Sequence, residues 1–264
     1  MSTQSEPFSG LEIERYARHI ILPEIGGAGQ QKLKNARVLV IGAGGLGSPV
    51  LLYLAAAGVG HLGIVDDDMV TLSNLQRQVV HHTDSIGENK TDSAAATMHR
   101  INPHIEISCH TLRLTPENVA ALFSTYDIIV DGSDNFATRY LVADHAALLE
   151  KALVTAAMGR FDGSLTVLKP YESDSEGNAY PHYRDLFPEM PPEGLIPSCA
   201  EAGVIGALPA ILGSLQAMEV IKLITGIGEP LLGRLLLYDA LSARFETIRY
   251  KRRQKATNQR ATEQ

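Results

Sequence analysis

Short apolar runs alternate with stretches of helical periodicity from residue 36 to residue 158. The runs RVLVIG, LGIVD, HIEISCH, YDIIV and ALVTAAM have the length of strands, and most of them are apolar enough to be buried on both faces. The intervening stretches, among them SPVLLYLAAAG and NFATRYLVADHAALLEK, predict helices. Strands that alternate with helices form parallel sheets through right-handed crossovers. The pattern therefore predicts an α/β, Rossmann-like fold with helices on both faces of the sheet.

The pattern changes after residue 158. GSLTVLKP predicts another strand, and residues 171–200 form a long loop rich in Pro, Gly and acidic residues, which is typical of a functional lid or a mobile segment. GVIGALPAILGSLQAMEVIKLITG predicts a long core helix, and GRLLLYDA and RFETIRY predict a terminal pair of antiparallel strands. The sheet is therefore expected to be mixed, mostly parallel with antiparallel C-terminal strands.

The two ends of the chain are polar. LEIERYARHIIL predicts a helix whose apolar face carries Leu11, Tyr16, Ile20 and Ile21, and PEIGGAGQQKL then predicts a loop. We expect a flexible tail over residues 1–10, a single domain over residues 11–250 with a crossover-type loop at about 171–200, and a basic flexible tail over residues 251–264.

The composition excludes several classes of protein. With 264 residues, 45% hydrophobic and 20% charged, the chain buries a sizeable core and is not globally disordered. The net charge of −7 provides no field for nucleic acid. No apolar run is expected to cross a membrane and the N-terminus lacks secretory features, so we expect a cytoplasmic protein with no membrane partner. Two cysteines, Cys109 and Cys199, exclude a disulfide framework and a four-cysteine zinc site within the chain.

A glycine motif follows the first predicted strand. Gly42, Gly44 and Gly47 satisfy G-x-G-x-x-G before a helix, where side chains would block the tight turn and the approach of phosphate to backbone N–H groups. Asp66 ends the second strand, where its carboxylate can accept a hydrogen bond from a ribose hydroxyl. This unit fits NAD as well as ATP.

The segment after Asp66 carries charges that a dinucleotide does not require. Arg77 and Lys90 can stabilise the charge that develops on leaving pyrophosphate, although surface charges are also common in such a loop. Asn74 and Gln76 can bind phosphate or ribose oxygens. His81 and His82 are expected to lie in the loop, without catalytic spacing.

Two carboxylates follow the strand YDIIV, in the stretch DGSDN. Asp131 and Asp134 are expected at the carboxyl edge of the sheet, where ligands of open α/β sheets bind. Asp134 can hold Mg²⁺ through oxygen or cap the helix that begins NFATRY.

Seven stretches occur together in one order: RYARHIIL, GAGGLGS, DDDMVTLSNLQRQ, GENK, DGSDN, SCAEAGV and GSLQAMEVIK. As a set they closely resemble the MoeB/ThiF family of ubiquitin-activating-like adenylyltransferases, from about Leu11 to Tyr250. The resemblance implies a homodimer that uses ATP and Mg²⁺ to adenylate the terminal carboxylate of a small ubiquitin-like sulfur carrier ending in Gly-Gly. A separate sulfur donor then forms a thiocarboxylate for molybdopterin or thiamine synthesis, and the segment LSNLQRQVVHHT favours the molybdopterin type.

The resemblance also implies a set of site residues. The nucleotide site would comprise Gly42, Gly44, Gly45, Gly47, Asp66, Asp68, Ser73, Asn74, Gln76, Arg77, Lys90, Asp134 and Asn135. Arg77 and Lys90 would stabilise the phosphates, and Asp134 would orient Mg²⁺. Arg18 would reach the pocket of the neighbouring subunit, with Arg15 as a weaker candidate for that role.

The chain departs from the family at its zinc site. Many members carry one C-x-x-C in the long loop and another near the C-terminus, whereas here residues 182–185 read HYRD and no cysteine follows Tyr250. We therefore predict that structural zinc is absent. The residues expected to hold the loop by packing are Tyr180, Tyr183, Leu186 and Phe187.

The two cysteines have different expected roles. Cys199 matches a cysteine that joins the carrier covalently in some members, or it packs the loop as a small buried residue. Cys109, inside a predicted strand, is expected in the core. No rhodanese-like sulfurtransferase domain, which some larger members append, is expected here, so sulfur is expected from another protein.

Two other function classes remain open. An NAD-dependent oxidoreductase explains the first strand–helix–strand unit but assigns no role to NLQRQ, GENK and DGSDN. A non-catalytic scaffold that binds the carrier is the second, although all positions of the implied phosphate site are present.

Overall fold

The structure is a computed structural model that describes residues 7–192 and 203–253. The strands in this part are β1 (Arg37–Ile41), β2 (His61–Val65), β3 (Glu106–His110), β4 (Ile128–Asp131), β5 (Ala152–Met158), β6 (Asp162–Leu168), β7 (Arg234–Asp239) and β8 (Arg244–Arg249). The α-helices are α1 (Gly10–Ile20), α2 (Gly26–Asn35), α3 (Gly47–Ala57), α4 (Lys90–Ile101), α5 (Val119–Ser124), α6 (Phe136–Leu148), α7 (Tyr183–Leu186) and α8 (Ala207–Thr225). Two 3-10 turns lie at Leu72–Asn74 and Thr83–Ser85.

The strands form one eight-stranded sheet in the order β3-β2-β1-β4-β5-β6-β7-β8. Strands β1 to β5 are parallel, and each pair from β5 to β8 is antiparallel. The predicted mixed sheet is therefore confirmed. Because β2 and β4 flank β1, the chain reverses its winding direction at the carboxyl ends of β1 and β4.

Side chains of β1 alternate between two hydrophobic cores. Val40 belongs to a cluster with Leu54 of α3 and Leu212 of α8, whereas Leu39 belongs to a cluster on the other face with Phe123 of α5. All four of these leucine and phenylalanine side chains are fully buried. A strand covered on both faces carries apolar residues continuously, which is the reason why RVLVIG lacks polar alternation. Helices therefore cover both faces, as the pattern predicts.

Helix α8 has the length and composition of a membrane-spanning helix, contrary to the expectation that no run of this chain does. It packs on β5, β6 and α3, and Leu212 and Val220 are fully buried. A side chain on Gly213 would lie 2.5 Å from the Leu46 carbonyl oxygen, so α8 approaches the start of α3 closely. Its apolar character follows from this core position.

The N-terminal segment differs from the sequence prediction in two respects. Residues 26–35 form helix α2, not a loop, and its Leu33 is fully buried. Leu11 of α1 and Ile21, the residue after it, are 68% and 73% exposed, and the buried residues of α1 are Glu12 and Tyr16. The apolar pattern of the sequence did not predict the buried face of α1, because that face carries a charged residue, Glu12, which is buried in an ion pair.

Glu12 tolerates burial because it has partners. Its carboxylate accepts hydrogen bonds from Lys34 Nζ and from the backbone N–H of Ser9, both at 2.8 Å. Burial alone would raise the pKa of Glu12, but these hydrogen bonds lower it to about 2. The ion pair between α1 and α2 therefore holds the N-terminal helix on the domain.

The crossover loop, residues 171–192, is ordered by aromatic packing. Tyr183 is 5% exposed and meets Tyr140 of α6 edge to face, with ring centroids 5.2 Å apart. The Tyr140 hydroxyl lies 2.9 Å from the carbonyl oxygen of Phe187 and 2.8 Å from that of Glu189. Tyr183 is thus the main anchor among the residues that the sequence proposed, whereas Phe187 is 39% exposed.

The beginning of the C-terminal tail is bound to this loop, contrary to the expectation of a wholly flexible tail. Arg253 N donates to Asp185 Oδ1 at 2.9 Å, and Arg252 contacts the His182 ring and the Pro170 carbonyl. We call these contacts between residues 182–185 and residues 252–253 the tail clip. Residues 254–264 lie outside the described part of the chain.

Cys109 is exposed, which corrects its assignment to the core. Its strand, β3, forms the edge of the sheet, and each of its five residues is half-buried or exposed. A strand run predicts the element but not its place in the sheet, and an edge strand leaves one side open to solvent.

Candidate functional site

The glycine loop, residues 42–47, lies in the crevice between the ends of β1 and β4. Gly42 has φ +89°, and a side chain on it would lie 3.0 Å from the Gly132 carbonyl oxygen. A side chain on Gly47 would lie 1.8 Å from the Gly42 carbonyl oxygen. Both glycines are therefore required by the turn itself. Gly44 faces a more open space, where a Cβ would meet only Gln78 Nε2, at 3.6 Å.

The loop presents backbone donors at the start of α3. Within residues 7–192 and 203–253, the amides of Gly44, Gly45 and Leu46 donate no hydrogen bond, whereas Ser48 N donates to Gly44 O at 2.9 Å. The first N–H groups of a helix and its dipole attract anions. This arrangement can bind a phosphate chain.

Asp66 braces the loop from the end of β2. Its Oδ2 accepts from Ala43 N at 2.8 Å and its Oδ1 from Asp68 N at 2.9 Å. Burial raises the pKa of Asp66, while the positive charge of Lys90 and the two backbone donors oppose the rise. The remaining lone pairs of Asp66 can accept from a ribose, so the residue has a structural role in addition to the predicted one.

Lys90 is a buried cation next to this carboxylate. It is the first residue of α4, is 5% exposed, and donates from Nζ to Asp68 Oδ2 at 2.6 Å. The Asp68 carboxylate therefore contacts Lys90 and orients its ammonium group. A buried lysine held by exposed Asp68 is poised to meet an incoming anion.

Arg77 lies on the other side of the loop. Its Cγ would be 3.6 Å from a Cβ on Gly45, and its Nη1 donates to Ser73 O at 3.2 Å. Ser73 and Asn74 form the 3-10 turn before it. The side chain of Gln76 lies against Gly206, just before α8. A Cβ on Gly206 would lie 2.6 Å from Gln76 Oε1. The neighbouring Gln78 was not predicted, although it is buried beside Gly44 and its Oε1 has no partner in the described residues.

The two carboxylates after β4 have different environments. Asp131 is fully buried and accepts from Ser133 Oγ at 2.6 Å and from Thr155 Oγ1 at 2.9 Å. Buried Arg139 lies 3.5 Å from it. Asp134 is exposed at the edge of the crevice. Only Asp134 is therefore accessible to a ligand.

Asn135 is the N-cap of α6, a role that the sequence offered to Asp134. Its side chain accepts from Thr138 N at 2.8 Å. The Arg139 guanidinium, which donates to Ser133 O at 2.9 Å, also supports this loop. The sequence did not single out Arg139, and an arginine on a helix carries no local signal of burial.

Arg18 lies near the amino ends of the parallel strands, whereas the glycine loop lies at their carboxyl ends. Tyr16, on the same helix, accepts from Asn102 Nδ2 just after α4, and its ring lies over Gly58 at the end of α3. Helix α3 has 11 residues, so its two ends are roughly 15 Å apart. Arg18 is exposed, and Arg15 is occupied by the Ile101 carbonyl oxygen at 2.6 Å. The structure therefore does not bring Arg18 to the site of its own chain.

The structure brings most of the predicted site residues together. The glycine loop, Asp66, Lys90, Arg77 and the loop after β4 meet at the crevice. Cys199 lies outside the described residues.

Comparisons with known proteins are consistent with this arrangement. The ThiF family profile matches residues 16–259. A probable adenylyltransferase/sulfurtransferase MoeZ of Mycobacterium tuberculosis is 55% identical over 92% of this chain, which spans 62% of that relative's length. A sulfur carrier protein adenylyltransferase of Thermus thermophilus is 51% identical, over 91% of this chain and 88% of its own. A SAMP-activating enzyme E1 of Haloferax volcanii is 47% identical, over 91% and 86%.

Solved structures share the fold. A crystal structure of PaaA has a TM-score of 0.78 with 23% identity, over 95% of this chain and 77% of that one. E. coli MccB, crystallised with ATP, has a TM-score of 0.74 with 22% identity, over 90% and 72%.

Proposed function

This chain belongs to the ThiF family, and from that membership and the site geometry we propose that it adenylates the C-terminal carboxylate of a small ubiquitin-like sulfur carrier ending in Gly-Gly. The names of its adenylyltransferase relatives support this proposal. The observation that carries it is the approach of two cations, Lys90 and Arg77, to one glycine loop. A redox reaction on NAD releases no pyrophosphate, so no leaving-group charge would develop for these cations to stabilise.

The proposed reaction is an in-line displacement at phosphorus. A carboxylate oxygen of the carrier bonds to the α-phosphorus of ATP, the bond to the bridging oxygen breaks, and pyrophosphate leaves with that electron pair. The glycine-loop amides would bind phosphate oxygens, and Lys90 and Arg77 would stabilise the charge on the leaving group. The carboxyl group then carries AMP, a better leaving group than oxide, for attack by sulfur.

Magnesium would enter with ATP. The exposed carboxylate of Asp134 fits the preference of Mg²⁺ for oxygen ligands, and the metal would neutralise part of the triphosphate charge. Asp66 would accept from the ribose. Ser73, Asn74, Gln76 and Asn135 stay candidates for polar contacts around the nucleotide.

The tail clip supports the proposal that structural zinc is absent. Residues 252 and 253 place arginine side chains and not thiolates against His182 and Asp185. A guanidinium group there opposes a dication. Elemental analysis of the purified protein is expected to find no stoichiometric zinc.

A homodimer would complete the site. The exposed apolar residues Leu11 and Ile13 of α1, and Ile21 just after it, support contact with a second subunit. Such contact would carry Arg18 to the partner's crevice. Mixing Arg18→Ala with Lys90→Ala protein is then expected to restore about a quarter of the exchange activity, since half of the dimers are mixed and each has one intact site. No restoration would contradict a shared site.

The primary test is ATP–pyrophosphate exchange with and without Gly-Gly carriers. Carrier-dependent exchange is expected, and the active carrier distinguishes the molybdopterin pathway, which we favour, from the thiamine pathway. Arg77→Ala is expected to abolish exchange, whereas Arg249→Ala, on the exposed edge strand β8, is its matched control. ATP binding without exchange would indicate a scaffold, and NAD binding without ATP binding would indicate an oxidoreductase.

We further propose that the protein acts in the cytoplasm and that a separate protein donates sulfur. The sulfur donor would transfer sulfur to the carrier after this protein has adenylated it. Thiocarboxylate formation in a mixture of this protein, ATP, carrier, a persulfide-bearing sulfurtransferase and a thiol reductant, which cleaves the acyl disulfide formed with the persulfide, tests the second point. Formation without the sulfurtransferase would contradict it.

A further inference from the structure

The peptide groups on both sides of Ala43, the second residue of the glycine loop, are held by hydrogen bonds. The N–H donates to Asp66, and the carbonyl oxygen lies 2.9 Å from Nε2 of His81. The other ring nitrogen of His81, Nδ1, lies 2.9 Å from Ser93 Oγ on α4. His81 is 5% exposed. This histidine therefore connects the glycine loop to the helix whose first residue is Lys90.

The hydrogen-bond partners define the protonation of His81. A carbonyl oxygen only accepts, so Nε2 carries the proton and donates to Ala43 O. Nδ1 lies against the Ser93 hydroxyl, which is also 3.0 Å from Ser85 Oγ and can rotate to donate to an unprotonated Nδ1. Burial lowers the pKa of His81, the bond to Ala43 opposes the decrease, and the charges of Lys90 and His82 lower it further. The neutral Nε2–H tautomer is therefore the form that the site holds near neutral pH.

The orientation of one peptide follows from this bond. The structure has no cis peptide in its described residues, and in a trans peptide the carbonyl of Ala43 and the N–H of Gly44 point in opposite directions. Because His81 holds the carbonyl on the α4 side, the Gly44 N–H points away from α4. That N–H is one of the unpaired donors of the glycine loop.

We propose that His81 is a positioning residue that fixes the Ala43–Gly44 peptide so that the Gly44 N–H meets the phosphate chain of ATP. It acts through the loop and touches no ligand. The inference rests on the proposed use of ATP. The proposal adds His81 to the site, although the sequence pattern assigned this histidine to a loop without catalytic spacing.

The first experiment needs no nucleotide. Long-range ¹H–¹⁵N NMR spectra of the ligand-free protein report which imidazole nitrogens carry protons. We expect His81 to show the neutral Nε2–H pattern between about pH 6.5 and about pH 8. A neutral Nδ1–H pattern would overturn the proposal, because Nε2 would then have no proton to donate to the Ala43 carbonyl.

The second experiment compares three variants by ATP calorimetry. His81→Leu removes the donor, and we expect the Kd for ATP to rise about tenfold because the Ala43 carbonyl loses its partner. His81→Gln retains a donor near the Nε2 position and is expected to stay within about twofold of the wild type. His82→Leu is the matched control, since His82 also contacts α4, through Thr97 Oγ1 at 3.1 Å, but does not contact the glycine loop in the described residues.

Kinetics separate a positioning role from a merely structural one. In pyrophosphate exchange, His81→Leu is expected to raise KM for ATP about tenfold and to change kcat less than about twofold. If the Leu and Gln variants lose thermal stability alike and neither changes KM, His81 is structural and the proposal is wrong. If His81→Leu does not fold, the Gln variant and Ser93→Ala, expected to raise KM about threefold, decide the question.

Failure of this inference differs from failure of the proposed function. Wild-type protein that binds ATP, together with a folded His81→Leu variant of equal affinity, contradicts the role of His81 alone. Wild-type protein that binds no ATP contradicts both.

Discussion

The glycine-loop side of the molecule and the tail clip are held by different kinds of contact. At the crevice, the polar residues Asp131, Arg139, Lys90 and His81 are each less than a tenth exposed, and each has a partner. At the tail clip, the contact of Arg253 N with Asp185 Oδ1 is exposed, and the neighbouring ion pair of Arg184 with Asp144 of α6 is about half exposed on both sides. Buried pairs fix a geometry and are costly to break, whereas exposed pairs are weak and screened by salt. The site is therefore built as a rigid frame, whereas the tail clip adds easily reversed contacts to a crossover loop whose buried anchor is Tyr183.

The largest expected effect is loss of activity at the crevice. Lys90→Ala is expected to reduce pyrophosphate exchange at least about a hundredfold, because it removes a buried cation from the phosphate site. Folding should be retained, since the ion-pair partner Asp68 is solvated at an exposed position. Exchange assays with thermal denaturation test both points, with Lys151→Ala as the control. Near-wild-type exchange in folded Lys90→Ala protein would remove Lys90 from the site.

The second effect compares two carboxylates three residues apart. Asp131→Ala is expected to lower the free energy of unfolding by about 3 kcal/mol, because buried Arg139 loses its counter-charge. Asp134→Ala, at an exposed position, is expected to change it by less than about 0.5 kcal/mol but to impair exchange. Urea denaturation measures both variants. Equal stabilities would show that the buried pair contributes little.

The smallest effect is expected at the tail clip. Asp185→Ala removes the acceptor of Arg253 N and is expected to cost less than about 1 kcal/mol. High salt should likewise increase hydrogen exchange of residues 183–187 and leave residues 128–131 unchanged. Arg249→Ala, on exposed β8, is the control. Equal salt sensitivity of the two segments would abolish the distinction between the two regions.

Acid gives an independent test of the tail clip. Burial lowers the pKa of His182, Arg252 lowers it further, and Asp185 and Asp144 oppose the shift. As pH falls below 6.5, the ordinary pKa of histidine, His182 binds a proton more readily in the unfolded chain than in the folded loop. Acidification therefore destabilises the folded loop. The loop should loosen on acidification, and less so in His182→Gln protein. Hydrogen exchange at several pH values measures this difference.

The sequence by itself determined the architecture. Apolar runs and helical stretches predicted the sheet because a strand buried on two faces must be continuously apolar, and the glycine motif predicted the turn because Gly42 and Gly47 admit no side chain there. The order of motifs also identified the family, which the match over residues 16–259 confirms. These features are local in the chain, so a one-dimensional pattern records them.

Only the tertiary structure decided which polar residues are buried and what they contact. Asp68 pairs with Lys90 across 22 residues, His81 meets Ala43 across 38, and Asp185 meets the tail across 68. The same holds for Cys109, whose exposure depends on β3 being the edge of the sheet. A buried polar side chain is stable only when a partner satisfies it. Since that partner is distant in sequence, no local pattern records the pairing, and folding alone brings the two groups together.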